Sequence, residues 1–541
     1  MISLSFVSFS QDKFGEIHGD FNLSLQSYQD DLLIDAKAAE EVVLNNAFLN
    51  INYIKGNFRA GLRYESYLNA LADYDSEFEG NGIPFRYANY TIDGLEITVG
   101  NYYEQLGSGL IFRSYEEKGL GIDNAMDGVR LKYVPIEGLY LKTFIGKSRT
   151  HFTYADGIFR GVDSELNINN LLKLQSKTKA ILGGSFVSRY QERSNIMFKI
   201  PQNVSAYASR INIIHKSWNY YGEYAFKIND PANVLSESQM NYANGSAFTN
   251  SITFSKKGFG LSAEMHRTDN MTFKSDRDRD GKAYLINYIP TLSKPHAYTL
   301  LALYPCATQS DGELGIQFDL YYKIKKGTQL GGKYGTKIDI NYSRINGLNG
   351  GSSFLNDRSK HTPELISFSE ELYFEDFNIE INKRINKKIK TNFVIANQTY
   401  NKDFLEGHTK GYDGIINSTI LVADVSFKIK KGHTLRAELQ TLRSKQLEYA
   451  EELAEGDWSM GALEYTISPN WFFSIQDMYN WGNENVDKQL HYLNLSAGFI
   501  KGANRFEIGY GKKREGIFCV GGVCKLVPSS NGFSLSITSS F

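Results

Sequence analysis

The sequence predicts an all-β protein: a single large antiparallel transmembrane β-barrel of about 24 strands (22–26), with short periplasmic turns and long extracellular loops. Three observations predict it. Apolar and polar residues alternate with period two over many segments. Tight Gly-containing turns take turns with long polar connections. No stretch reaches the roughly 18 consecutive apolar residues of a spanning helix, and the mean hydropathy of −0.36 is what a barrel shows when only every second side chain meets lipid.

Composition fits. Aromatics make up 13% of 541 residues, Gly is abundant at 48, and Pro is scarce at 10, as ladders that need every backbone N–H require. Lys plus Arg (59) balance Asp plus Glu (60), which gives no electrostatic footprint for nucleic acid. A soluble sandwich also alternates. However, several segments run about 10–14 residues, membrane-crossing length, no linker interrupts them, and closure removes the edges that so many strands would have to protect.

From the N-terminus, MISLSFVSFSQ is a short apolar run ending in Ser8-Phe9-Ser10, the small-x-small pattern of a secretory cleavage site. Residues 1–10 therefore read as the remnant of a signal peptide and 11–541 as the barrel. The first strand is expected in IHGDFNLSLQSY, where Ile17, Phe21, Leu23 and Leu25 alternate with His18, Asp20, Asn22 and Ser24. Tight turns are expected at Lys55-Gly56, Ile92-Asp93-Gly94, 135–138, Lys256-Lys257-Gly258, Lys325-Lys326-Gly327, 430–433, Ser468-Pro469-Asn470 and Lys501-Gly502, with one longer periplasmic link at 167–177. Long outer connections are expected at roughly 68–83, 103–125, 228–246, 267–312, 346–369, 401–415, 444–455 and 479–487.

Between turns the faces are explicit. Leu421, Ala423, Val425, Phe427 and Ile429 oppose Asp424, Ser426 and Lys428; Leu435, Ala437 and Leu439 oppose Arg436, Glu438 and Gln440. In 314–324, Leu314, Ile316, Phe318, Leu320 and Tyr322 oppose Gln317, Asp319 and Lys323. A one-residue slip of 434–441 would put Arg436 and Glu438 into lipid, at about 2–4 kcal/mol for an Arg near the midplane. The closing NGFSLSITSSF places Phe533, Leu535, Ile537 and Phe541 on one face, a last strand that seals the sheet against the first.

Three constellations carry chemistry. In SDRDRDGK, Asp276, Asp278 and Asp280 precede Gly281 with the spacing of a calcium loop, but position 12 is Asn287 and the surroundings read as an outer loop; a solvated charged tip is the alternative. In FCVGGVCK, Gly521-Gly522 makes a two-residue turn that sets Cys519 opposite Cys524, where a disulfide can form in an oxidising compartment; Cys306 is left over. In 101–130, Glu104, Arg113, Glu116, Glu117, Asp123, Asp127 and Arg130 surround Leu110-Ile111-Phe112, so the loop can fold inward and narrow the lumen. A packed structural loop is the alternative. No H-E-x-x-H, Walker A or G-x-S-x-G is present, the nine His stand singly, and no enzymatic activity or cofactor beyond loop calcium is expected.

The 95–133 stretch, LEITVGNYYEQLGSGLIFRSYEEKGLGIDNAMDGVRLKY, resembles an uncharacterised family of Bacteroidota outer-membrane barrels, a domain of unknown function, and the ending CVGGVCKLVPSSNGFSLSITSSF is similar to termini of barrels from that phylum. The likeness runs in outline over nearly the whole chain. It implies a barrel in a Gram-negative outer membrane, with no established substrate and no catalytic residue to carry over. The terminal Phe541 resembles the signal by which barrel-assembly machinery captures its clients. The family's company implies a type IX-like secretion or surface partner. Two functions follow as expectations. One is a porin-like channel with a loop-constricted lumen. The other is a non-conducting scaffold with 267–312 as its docking element. A TonB-dependent transporter is disfavoured, because strands begin near Glu16 and leave no room for a plug domain.

Overall fold

The computed structural model describes residues 14–192, 201–228, 230, 244–279, 281–349, 364–408, 411–447 and 455–541. The expected remnant at 1–10 and Asp280 lie outside them. Twenty-four strands form one sheet in which every pair of neighbours is antiparallel. The sheet closes because Glu16–Tyr28 pairs both with Leu44–Lys55 and with the last strand, Ser530–Ser540. Barrel strands run from 8 residues (Leu95–Tyr102) to 17 (Phe368–Arg384), enough to cross a bilayer at a tilt.

Phe541 packs into the seam. Gly19 and Phe541 exchange both backbone hydrogen bonds at 2.9 Å, and the Phe541 ring lies over Gly19. A Cβ at Gly19 would stand 2.4 Å from Phe541 Cζ and 2.7 Å from the Asn50 carbonyl, so only glycine admits the ring. Phe541 therefore completes the outer face of the closing strand.

The two faces separate as the alternation requires. Leu421, Leu439 and Phe533 point outward and are exposed on the isolated chain, whereas Asp424, Glu438, Gln440, Asp319 and Asn341 point inward, where Asn341 donates to Asp319 across strands (2.7 Å) and Gln440 to Glu438 along one (2.6 Å). Asp424, for example, accepts two hydrogen bonds from Arg436, at 2.9 and 3.0 Å.

Several connections differ from expectation, among them a two-residue turn on the outer side between Thr150 and Thr153. Lys325-Lys326-Gly327 is not a tight turn: the link runs from 325 to 335 and is kept compact by Gly327 N–H to the Gly332 carbonyl (2.7 Å) and Gly332 N–H to the Thr328 carbonyl (2.8 Å). On the outer side, 29–43 is a further long connection, pinned to the seam by a Lys512–Asp31 ion pair. The Cys519–Cys524 disulfide lies in a small hairpin, Gly516–Val520 with Val523–Val527, outside the barrel sheet.

Candidate functional site: a lumen filled by outer loops

The inner wall carries small residues over one sector: Gly128, Gly146, Gly161, Ala206, Ala208, Ala225 and Ala247. Loop side chains fill the room they leave. Leu106, Leu110, Ile111 and Phe112 are fully buried against this wall, with Phe112 4.5 Å from the Phe144 ring. Gly107 sits at φ +55°, where a Cβ would collide with Glu223 Oε1 at 2.3 Å; Glu223 in turn accepts from Ser108 N–H at 2.8 Å. The 103–125 loop thus runs inside the barrel.

In a second segment, 270–311, residues 292–304 fill another sector. Leu292, Leu300, Leu301, Leu303 and Tyr304 pack on inward Val394, Ala396, Ile420, Val422 and Leu442. Polar contacts take it towards the short-turn end: His296 to Asp376 (2.7 Å), Lys294 to Glu380 (3.3 Å), and Tyr298 OH to Asp424 (3.2 Å). The segment expected to dock partners from outside is instead buried in the lumen, because its leucines find an apolar inner wall. Cys306 belongs to this core, and burial pushes its thiol up.

The two segments interlock. Arg113 N–H donates to the Ile286 carbonyl (2.7 Å), Tyr288 N–H to the Gly109 carbonyl (2.9 Å), and Asn124 Nδ2 to the Leu285 carbonyl (2.6 Å). The Arg113 guanidinium stacks between Tyr115 and Tyr288, 4.5 and 4.0 Å from their centroids. The disulfide hairpin lies across them: Thr308 N–H reaches the Gly522 carbonyl at 3.0 Å, and Lys525 reaches Asp73 at 2.7 Å.

Charged anchors fasten the loops to the wall. Glu104 is buried beside Lys142 (3.1 Å), Lys132 (3.3 Å) and Arg130 (3.5 Å), and Arg130 also donates to Glu96 (2.7 Å). Glu116 pairs with Arg63 at 2.9 Å, and Asp123 accepts from both Arg63 and Arg149. Arg63 and Arg149 also hold Glu65, which is 0% exposed. Burial raises the pKa of Glu116, with Arg63 opposing. Glu117 serves its own turn, accepting from Gly119 N–H at 3.0 Å.

Asp127 does not belong to this set. It lies on the outer face with Val129, bonded to Tyr154 OH (2.6 Å) and Arg86 (3.3 Å). Asp276 and Asp278 both accept from Gln191 Nε2, at 2.7 and 3.3 Å, so an amide already takes these carboxylates; among the described residues no cluster of three or more His, Cys, Asp or Glu is placed to hold a metal. The sequence reading missed Arg63, Glu65 and Arg149, since the strands that bring them together are far apart in the chain.

One sector stays unfilled. The inner face of the seam strands carries Ser24, Ser474, Gln476, Asn494, Ser496, Glu507, Ser534 and Ser536, a strip of small polar side chains. Ser534, Ser536 and Arg505 are exposed there, whereas Ser343 and Asn378 on the packed wall are 0% exposed.

A family model, DUF6029, a family of unknown function, matches residues 1–541. The chain belongs to that family. No curated protein matches it. Similar solved structures include the siderophore receptor PirA of Pseudomonas aeruginosa (9% identity, 97% of this chain and 81% of that one, TM-score 0.44). The P pilus usher PapC translocation pore is similar at 10% identity, 97% and 99% coverage and TM-score 0.38. So is OpdL of Pseudomonas aeruginosa, at 12% identity, 80% and 99% coverage and TM-score 0.35. All three TM-scores lie below 0.5, and it is the strand pairing of this DUF6029 chain that makes it a closed antiparallel barrel.

Proposed function

We propose that the protein is a porin-like channel of the Gram-negative outer membrane, narrowed by its inward loops to a path along the polar seam strip. The observation that carries the reading is the solvent-exposed inner face at Ser534, Ser536 and Arg505, beside the sectors that the two loop segments fill. Small Ser, Asn and Gln side chains suit small hydrated solutes, and the mixed Arg505–Glu507 pair (2.7 Å) favours neither ion sign strongly. The reading assigns no enzymatic step. Purified protein in a planar bilayer is expected to give small, stable conductance steps; their absence over many insertions refutes the channel.

The interlocking of the two inward segments favours a second reading, a scaffold that does not conduct and binds a secretion or surface partner through its rim. Pull-down from native membranes separates the two. A stoichiometric partner supports the scaffold, and a lone barrel that conducts supports the channel.

A further inference from the structure

Above the seam strip, the inner faces of Trp458–Ile467, Trp471–Tyr479 and His491–Lys501 rise into a cavity of about 470 Å³ at the outer mouth. Trp458 and Tyr492 continue the inward parity of Met460 and Asn494, and Asn480 that of Met478. Three polar atoms on the residues lining it are buried with no hydrogen-bond partner among the described residues: Trp458 Nε1, Asn480 Oδ1 and Glu455 Oε2. Trp458 is 2% exposed and Asn480 3%, so bulk water does not satisfy them. Native proteins rarely leave such groups unpaired, and a cluster of them around one cavity points to a ligand that completes them.

The chemistry of the three atoms selects the class. An indole N–H only donates, while an amide oxygen and a carboxylate oxygen only accept. A hydroxyl group does both, so one polyhydroxylated molecule meets all three. Charge disfavours an anion, since the lining carries Asp35, Glu455, Glu484 and Glu515 against Arg514 and Lys488, and a bare cation would leave the donating indole N–H of Trp458 unmet. Tyr492, tilted 38° to Trp458 at 6.0 Å, supplies an apolar ring face of the kind that covers a sugar's C–H surface. The volume lies within the roughly 300–1,000 Å³ of small-molecule sites.

We propose that this cavity binds a neutral mono- or disaccharide at the outer entrance of the seam path. Passage of the sugar rests on the channel reading above; binding does not. The test is calorimetric titration of the folded full-length barrel in detergent with maltose and cellobiose, and with glutamate and inorganic phosphate as charged probes. At least one sugar is expected to bind, with neither charged probe competing. Trp458→Phe, which keeps a ring and loses the donor, and Asn480→Leu, on a connecting loop, are each expected to weaken it about tenfold, with heat-modifiable gel mobility confirming the folded barrel. No binding of either sugar, tighter binding of a charged probe, or unchanged affinity in both folded variants overturns the assignment. Conductance without sugar binding overturns this assignment and leaves the channel; sugar binding without conductance supports it and removes the channel.

Discussion

Replacing Arg149 with Met tests how firmly the 103–125 loop is tied to the wall. The Arg149 side chain is 1% exposed and donates to Glu65, Asp123 and the His151 carbonyl, the last at 2.7 Å. The cluster sets three cations, Arg63, Arg149 and Lys118 (3.9 Å from Glu116), against three carboxylates, Glu65, Glu116 and Asp123, and so is neutral. Without Arg149 one negative charge is left unbalanced, and Glu65 and Asp123 share Arg63 as their cation. Removing one partner of a buried pair costs about 3–5 kcal/mol. Because Arg63 remains, the low end applies, and about 3 kcal/mol is roughly a 150-fold shift in the equilibrium between docked and released loop. Amide hydrogen exchange reads this at Tyr115 and Asn124, whose N–H groups bond the Asn124 side chain (2.6 Å) and the Tyr115 carbonyl (3.2 Å). Both are expected to exchange about two orders of magnitude faster, while amides of the wall strands on the far side keep their protection. Wild-type rates at Tyr115 and Asn124 would refute the anchoring argument.

Three further outcomes follow from the two faces, the seam and an outer loop. Leu495→Lys, on the outer face, is expected to cost about 2–4 kcal/mol in refolding into lipid vesicles, and Ser496→Lys, its inward neighbour, under about 1 kcal/mol with conduction shifted towards anions; equal costs would contradict the register. Gly19→Val drives a side chain into the Phe541 ring, and at about 1–3 kcal/mol of overpacking it is expected to lower the yield of heat-modifiable barrel, with Phe541→Ala in the same chain restoring part of it. Asp403 is desolvated, which raises its pKa, but N–H groups of Gly414 (3.0 Å), Asp413 (2.6 Å) and Gly411 (2.6 Å) outweigh this and lower it. A lowered carboxyl contributes stability above the unfolded value near pH 4, lost as pH falls through its folded value, so proteolysis in the 402–414 connection is expected to rise on acidification in the wild type and not in Asp403→Asn.

The barrel was legible in the sequence because lipid enforces a rule that water does not: every second side chain from Ile17 to Phe541 is constrained by one solvent. Facing follows from that alternation, and strand number from it together with the turns and long connections between segments. The filling of the lumen was legible only in part. Leu110-Ile111-Phe112 marked one inward loop, but the matching signal on the wall was overlooked. At 420–423, Ile-Leu-Val-Ala is apolar on both faces, so Ile420 and Val422 had to meet protein inside as Leu421 meets lipid outside. Asp127 was misplaced by charge density, although it shares parity with Val129 and Tyr133 and alternation alone puts it outside. The 325–335 link shows the limit of turn chemistry, since Lys-Lys-Gly starts a long connection as readily as a tight one. Contacts such as Arg149 with Glu65 have no local signature, because closing the sheet creates them.

Water reaches the seam strip and not the packed wall, and single cysteines in the folded barrel test this most directly. Cys306 is buried and Cys519–Cys524 is bonded, so the background is silent. With Ser496→Cys, a water-soluble thiol reagent is expected to label the barrel and cut the current, while Asn378→Cys, on the packed wall, stays unlabelled. Labelling at 378 with free current at 496 would place the open path on the wrong side of the lumen and contradict the account.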